Sequence, residues 1–314
     1  MNANILCDLG NFGLIQVSGA DAQTFLQGQF SNDVKDVTEE SSQLSSYNSP
    51  KGRMYASFRL MRFGETYLML LPRENIEPTI KRLRMFVLRS DVKLDDVSEN
   101  FSVLGVAGPD CRSALQALFN DTPSEVNGVK QWDNGLIVHV PGSIDRFQII
   151  CTKATAAPYR ESLGKQLSGA SSDEWKRLDI EAGIPHIYIS TREEFVAQMV
   201  NLHSIGGVSF TKGCYPGQEI VARMHYLGKL KKRMYRIHVD GDALPQPNTN
   251  IVEVGSDNTQ SVGQIVDAVA LPSGGFEALA VLQIKSAESA KLALENSASG
   301  IQIEALPYEV TNEA

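Results

Sequence analysis

The spacing of apolar positions changes along the chain, and each spacing predicts an element. Tyr55 to Met61 and then Gly64-Glu65-Thr66-Tyr67-Leu68-Met69-Leu70-Leu71 read as two strands of a hairpin. Ile76, Ile80, Leu83 and Val87 recur at helical intervals, which predicts a helix over 76–88. Val103-Leu104-Gly105-Val106-Ala107 is a short apolar run of strand length. Pro109, just after Gly108, suits the first turn of a helix through Leu115 and Leu118. Asp21 is placed to cap a helix carrying Phe25, Leu26 and Phe30. Strand, helix, strand, strand and helix in this order predict an α+β sandwich, and no internal repeat stands out.

A further helix is expected around Glu181. Ser171 and Glu174 have the spacing of a capping box, Trp175, Leu178 and Ala182 form one apolar stripe, and Gly183 with Pro185 ends the run. Glu181 then lies beside Leu178 at the edge of the buried face. Beyond about Arg233 the pattern becomes short β-rich runs, 251–254, 262–269 and 276–284. Turns separate them at Asp240-Gly241, Pro245-Gln246-Pro247, Gly255-Ser256-Asp257-Asn258 and Pro272-Ser273-Gly274-Gly275. Short strands at that spacing predict a small β-barrel or sandwich.

Composition places few limits on this outline. The 314 residues exceed what one hydrophobic core usually supports, and 42% apolar with 21% charged residues is ordinary for a soluble globular protein. No apolar run reaches 18 residues, and Met1 to Asp8 lacks the basic start and apolar core of a signal peptide, so a cytoplasmic protein without membrane association is expected. Cys7, Cys111, Cys151 and Cys214 are far apart, which suggests neither a disulfide framework nor a conventional metal site. His139, His186, His203 and His238 show no metal-ligand spacing.

Charge is more informative. The net charge is −8, yet residues 212–236 carry seven Lys and Arg against the single acid Glu219, a local +6 that leaves −14 for the remainder. Such a segment would attract an anion. It opens with Lys212-Gly213-Cys214-Tyr215-Pro216-Gly217-Gln218-Glu219, where Gly213 and Pro216-Gly217 put the thiol on a turn. A thiol presented there beside the Lys212 cation is expected to be exposed and partly thiolate, and His225 is a weaker candidate to assist it.

This octapeptide resembles the signature of the YgfZ family of folate-binding, tRNA-modification-related proteins, relatives of the aminomethyltransferase of the glycine cleavage system. Three other segments agree. They are Gly19-Ala20-Asp21-Ala22 running through Phe25-Leu26-Gln27-Gly28-Gln29 to Ser31-Asn32-Asp33-Val34, then Arg177 to Pro185, and Ile303 to Tyr308. The resemblance implies an aminomethyltransferase-like α+β folate-binding region of two intertwined subdomains over 1–232, followed by a C-terminal β-barrel over 233–314. It implies tetrahydrofolate, or a derivative, as cofactor. Glu181, matching the glutamate of an Arg-x-Glu-Ala-Gly pattern, becomes the residue for the pterin ring, since a carboxylate accepts two parallel N–H donors. Arg223 and Lys229, with Lys231 as a further choice, are the cations for the folate tail, and Tyr215 and Gln218 are expected beside the ligand. Cys214 and Lys212 are the chemical pair.

The departures matter as much. Where the aminomethyltransferases carry an aspartate after the glycine turn, here Pro50-Lys51-Gly52-Arg53, this chain has Met54-Tyr55-Ala56-Ser57 and no carboxylate. Without that acid or base, aminomethyl transfer is not supported. The resemblance therefore implies an accessory protein that binds folate and supports maturation or repair of iron–sulfur enzymes, including those that methylthiolate tRNA. Its partners would be those enzymes or assembly proteins. The alternative is a folate-dependent one-carbon transferase using Cys214 as nucleophile or Asp33 as acid. Direct tRNA binding is disfavoured by the net charge of −8.

Overall fold

The computed structural model describes residues 4–241, 243–255, 260–295 and 300–310. Two sheets share the first half of the chain. After β1 (Ile5–Asp8) come β2 (Phe12–Ser18), α1 (Ala22–Gln27), β3 (Gln43–Asn48), β4 (Met54–Phe63) and β5 (Thr66–Pro72), then α2 (Ile76–Arg84) and β6 (Lys93–Asp96). Strands β2 to β6 form a five-stranded sheet in the order β3-β4-β5-β2-β6. The next elements are β7 (Phe101–Ala107), α3 (Cys111–Phe119), β8 (Val129–Trp132), β9 (Gly135–His139), β10 (Arg146–Thr152), α4 (Lys153–Leu163) and β11 (Ser168–Ala170). These strands join β1 in a second sheet, β11-β1-β7-β10-β9-β8, so the two sheets interleave along the chain.

The two sheets stack face to face. Met61, Leu68 and Leu70 point toward Ile5, Val103, Leu136 and Ile150 of the other sheet, while their neighbours Leu60, Met69 and Leu71 point outward to α1 and α2. Both faces of β4 and β5 are thus covered, which is why these strands are apolar at nearly every position instead of alternating. Helices α3 and α4 cover the far face of the second sheet. Trp175 of α5 (Ser172–Glu181) closes one side of the inter-sheet core, its ring lying where a side chain on Gly105 would be, 2.4 Å from the position of a Cβ.

After α5 the chain runs irregularly to α6 (Gln218–Tyr226) and enters a third sheet. This comprises β12 (Lys232–Val239), β13 (Asn250–Glu253), β14 (Gly263–Ala270) and β15 (Phe276–Gln283), then α7 (Ile284–Ser289), β16 (Leu292–Leu294) and β17 (Ile301–Glu304). Its order is β16-β13-β14-β15-β12-β17, and an Ala293–Gly300 bridge joins the two edges, curling the sheet into the expected barrel-like unit. The barrel is tied to α5 and the segment after it by Asp267, which accepts from Lys176 Nζ at 2.9 Å and from Tyr188 Oη at 2.7 Å.

Several local expectations are corrected. The helix from Ile76 stops at Arg84, and Leu88 takes a left-handed φ of 48° and lies exposed, so the helical period outlasts the helix. Phe30 lies beyond α1 and bridges to Tyr47, and Asp21 accepts from the Asp91 amide instead of capping its own helix. Pro109 precedes α3, which begins at Cys111. Ser171 makes no side-chain cap, and Glu174 pairs with Arg177 and not with the Ser171 amide. Of the turn expected at 255–258, residues 256–258 lie outside the described residues, as do Met1 to Ala3.

Candidate functional site

The segment from 206 to 217 is irregular yet closely held. Ser31 Oγ donates to the Gly207 carbonyl, Asn32 Nδ2 to the Gly206 carbonyl, and the Ser209 amide to the Ser31 carbonyl, at 2.7–3.0 Å. Lys212 completes the seam. Its ammonium donates to the carbonyls of Gln27, Phe30 and Asn32 at 2.8, 2.7 and 2.9 Å, and only 7% of the residue is exposed. Burial pushes it down to about 8, against the opposing pull of Asp33. Lys212 is therefore a clamp on the loop, and the expectation of a cation turned to the thiol is corrected: all three ammonium protons are committed to backbone oxygens.

The same loop brings Tyr215 and Gln218 to Lys212. The ammonium lies 5.3 Å from the Tyr215 ring, and Gln218 Nε2 donates to the Lys212 carbonyl at 3.4 Å. Burial pushes the Tyr215 hydroxyl up to about 12. Cys214, between them, is exposed, while Cys7, Cys111 and Cys151 are buried, and burial raises the thiols of all three. Gly217 starts α6 with φ at 81°, and a Cβ there would stand 2.4 Å from the Ser49 carbonyl oxygen. The Pro-Gly pair that argues against a helix through Cys214 thus begins one just after it. Arg223 and Lys229 are exposed and carry no ion pair among the described residues. The His225 ring stacks on Phe210 with centroids 3.7 Å apart.

Glu181 stands apart from this loop. It pairs with Arg177 one turn earlier, on the stripe Glu174-Arg177-Glu181, with 22% of its side chain exposed. The stripe beside it, Trp175-Leu178-Asp179-Ala182, faces inward. Asp179, almost fully buried, meets Arg146 Nη1 at 2.8 Å and His186 Nε2 at 3.1 Å. Burial raises the Asp179 carboxyl, but Arg146 and His186 outweigh it and hold the carboxyl below its ordinary value. Sequence reading missed this group, although an aspartate inside an apolar helical stripe is a visible signal.

Asp179 lines a cavity of about 30 Å3 between the first two sheets and α5, with Phe12, Phe58, Arg59, Gln148 and His186 among the other walls. Arg59 Nη1 donates to Ser42 Oγ and Asn127 Oδ1. Burial and the Arg146 charge push the Arg59 guanidinium down to about 10, against the pull of Asp179. Gln148 Oε1 is buried without a partner. Ser57 Oγ donates to the Pro185 carbonyl and accepts from the Ile187 amide, so it tethers the segment after α5. Among the described residues no group of three or more His, Cys, Asp and Glu side chains is arranged for a metal, and no helix is long and apolar enough to cross a membrane.

Comparison with known proteins bears on the fold and the family. Residues 1–146 match the GCVT N-terminal domain family. The structure superposes on the glycine cleavage system aminomethyltransferase T from Bartonella henselae with a TM-score of 0.76 at 13% identity, over 99% of this chain and 87% of that one, which establishes an aminomethyltransferase-like fold. The tRNA-modifying protein YgfZ from Escherichia coli strain SMS-3-5 is 30% identical over 97% of this chain and 93% of its own length. The protein of the same name from strain SE11 matches over the same shares. Identity at that level along almost the whole of both sequences shows that the chain belongs to the YgfZ family.

Proposed function

We propose that this chain is a tetrahydrofolate-binding accessory protein that supports iron–sulfur enzyme maturation or repair, and through it tRNA methylthiolation, with Cys214 as its working thiol. The observation that carries the reading is the exposed Cys214 on a loop fixed by the buried Lys212 clamp. Fixing the backbone on both sides of a thiol lowers the entropy lost when it meets a partner atom. The relatives' description as tRNA-modifying proteins supports the pathway.

The chemistry of the donor set fits a reduced folate. Glu181 offers a partly exposed carboxylate for an aminopyrimidine edge, and Arg177 holds it in place. Arg223 and Lys229 offer exposed cations, without an ion pair among the described residues, for the tail carboxylates. A reduced folate carries one-carbon units on its ring nitrogens. The cavity beside Asp179, at about 30 Å3, has room for one or two waters, so a pterin ring enters it only if its walls part. The one-carbon transferase reading is weaker. The segment Met54-Tyr55-Ala56-Ser57 offers no carboxylate at the position of the enzymes' aspartate, and its Ser57 hydroxyl is engaged with Pro185 and Ile187.

Mass spectrometry of tRNA from cells lacking the gene tests the proposal, with complementation by wild type or Cys214→Ala. Loss of 2-methylthio-modified adenosine, restored by wild type and not by the variant, is expected. Unchanged modification in the deleted strain removes the tRNA link, and equal rescue by both proteins removes the role of the thiol.

A further inference from the structure

The buried charges around the cavity do not balance. Arg59 and Arg146 face one carboxylate, Asp179, the only acid lining the cavity among the described residues. With His186 neutral the group carries +1, and with His186 protonated +2. An isolated charge removed from water is costly unless a partner compensates it.

The free hydrogen-bonding groups point the same way. Arg59 is 5% exposed, and its Nη1 serves Ser42 and Asn127. Among the described residues its Nε and Nη2 have no acceptor. These two N–H groups are the parallel fork that matches the two oxygens of a carboxylate. Arg146 Nη2 is also buried without a partner. Gln148, 6% exposed, brings an amide whose oxygen is unpaired, and a half-turn of that amide presents its NH2 instead. Phe12, Phe58 and Leu70 supply the remaining wall.

We propose that this cavity is a binding site for a small monocarboxylate of one or two carbons, held side-on by Arg59 with Gln148 as a further donor. Size sets the class: about 30 Å3 takes the place of one or two waters, room that a formate or an acetate fills. The carboxylate supplies the missing negative charge and gives Arg59 two charge-assisted hydrogen bonds. The site is separate from the thiol loop, and it does not depend on the folate reading.

Thermal unfolding of the full chain, titrated with sodium formate, acetate, propionate or chloride at constant ionic strength, tests this. Formate and acetate are expected to raise the melting temperature saturably, propionate and chloride to leave it unchanged. Arg59→Lys, which keeps the charge and removes the fork, is expected to raise the half-saturating formate concentration about tenfold or more, the equivalent of one lost charge-assisted hydrogen bond. Broadening of the 13C-formate resonance by wild-type protein, reversed by unlabelled acetate, provides the direct readout. The proposal is overturned by the absence of a saturable formate response, by an equal response to chloride or propionate, or by an unchanged midpoint in Arg59→Lys. If that variant does not fold, the size series and the resonance on wild-type protein still decide.

Discussion

Replacing Lys212 by Met separates two forces that the buried ammonium sets against each other. Burial moves the group to about 8 from its ordinary 10.5, whereas the three carbonyls of Gln27, Phe30 and Asn32 favour the charged form. With the folded value below the unfolded one, the unfolded chain binds more protons between those limits. Lys212 therefore contributes stability that is full above pH 10.5 and is lost as the pH falls through 8. Over the two units from pH 7 to 9 the gain is about 1.3 kcal/mol, since each full unit is worth about 1.4 kcal/mol and the folded group still titrates near 8. The assay is urea unfolding of wild type and Lys212→Met at half-unit steps across that range. Tyrosines and other thiols titrate alike in both proteins, so the difference isolates Lys212. Wild type is expected to gain about 1.3 kcal/mol on the variant by pH 9. A difference that stays flat or falls refutes the reasoning and shows that the three carbonyls outweigh burial. Alkylation of Cys214, measured alongside, is expected to slow in Lys212→Met as the loop loses the clamp that holds the exposed thiol in place.

Two further substitutions test the frame around the site. Gly217→Ala forces a Cβ into a left-handed conformation and against the Ser49 carbonyl, and a loss of about 2–4 kcal/mol in urea unfolding is expected; a loss below about 1 kcal/mol would mean the turn rearranges freely. Asp179→Asn leaves Arg146 buried without its counter-charge and is expected to cost about 3–5 kcal/mol near neutral pH. Because the Asp179 carboxyl is held below its ordinary 3.8, the wild-type advantage should shrink only as the pH falls below that value, and a loss already under way at pH 6 contradicts the assignment.

Much of the frame could be read from residue order because its causes are local. The hairpin over 54–72 needs only two apolar runs and a glycine turn, and the barrel strands are separated by Asp-Gly, Pro-Gln-Pro and Pro-Ser-Gly-Gly punctuation. The exposed thiol also follows from its neighbours. The group around Asp179 does not. Arg59 lies on β4, Arg146 on β10 and Asp179 on α5, and only the stacking of two sheets against that helix makes them neighbours. Lys212 was legible as a cation, but its partners are backbone oxygens, which no side-chain pattern reveals. Helix α6 hides for a related reason: Gly217 breaks the pattern because its positive φ is what turns the chain into the helix.

The clamp on the thiol loop also has a consequence in time. Lys212 reaches its carbonyls across 180 to 185 residues of sequence. During synthesis at about 5–20 residues per second, the oxygens of Gln27, Phe30 and Asn32 wait roughly 10–40 seconds for their cation to leave the ribosome. Contacts of such separation form late, after nearer ones have reduced the entropy of closing the chain. An ordered Cys214 is thus a property of a polypeptide made beyond residue 212, and shorter fragments released from the ribosome lack it.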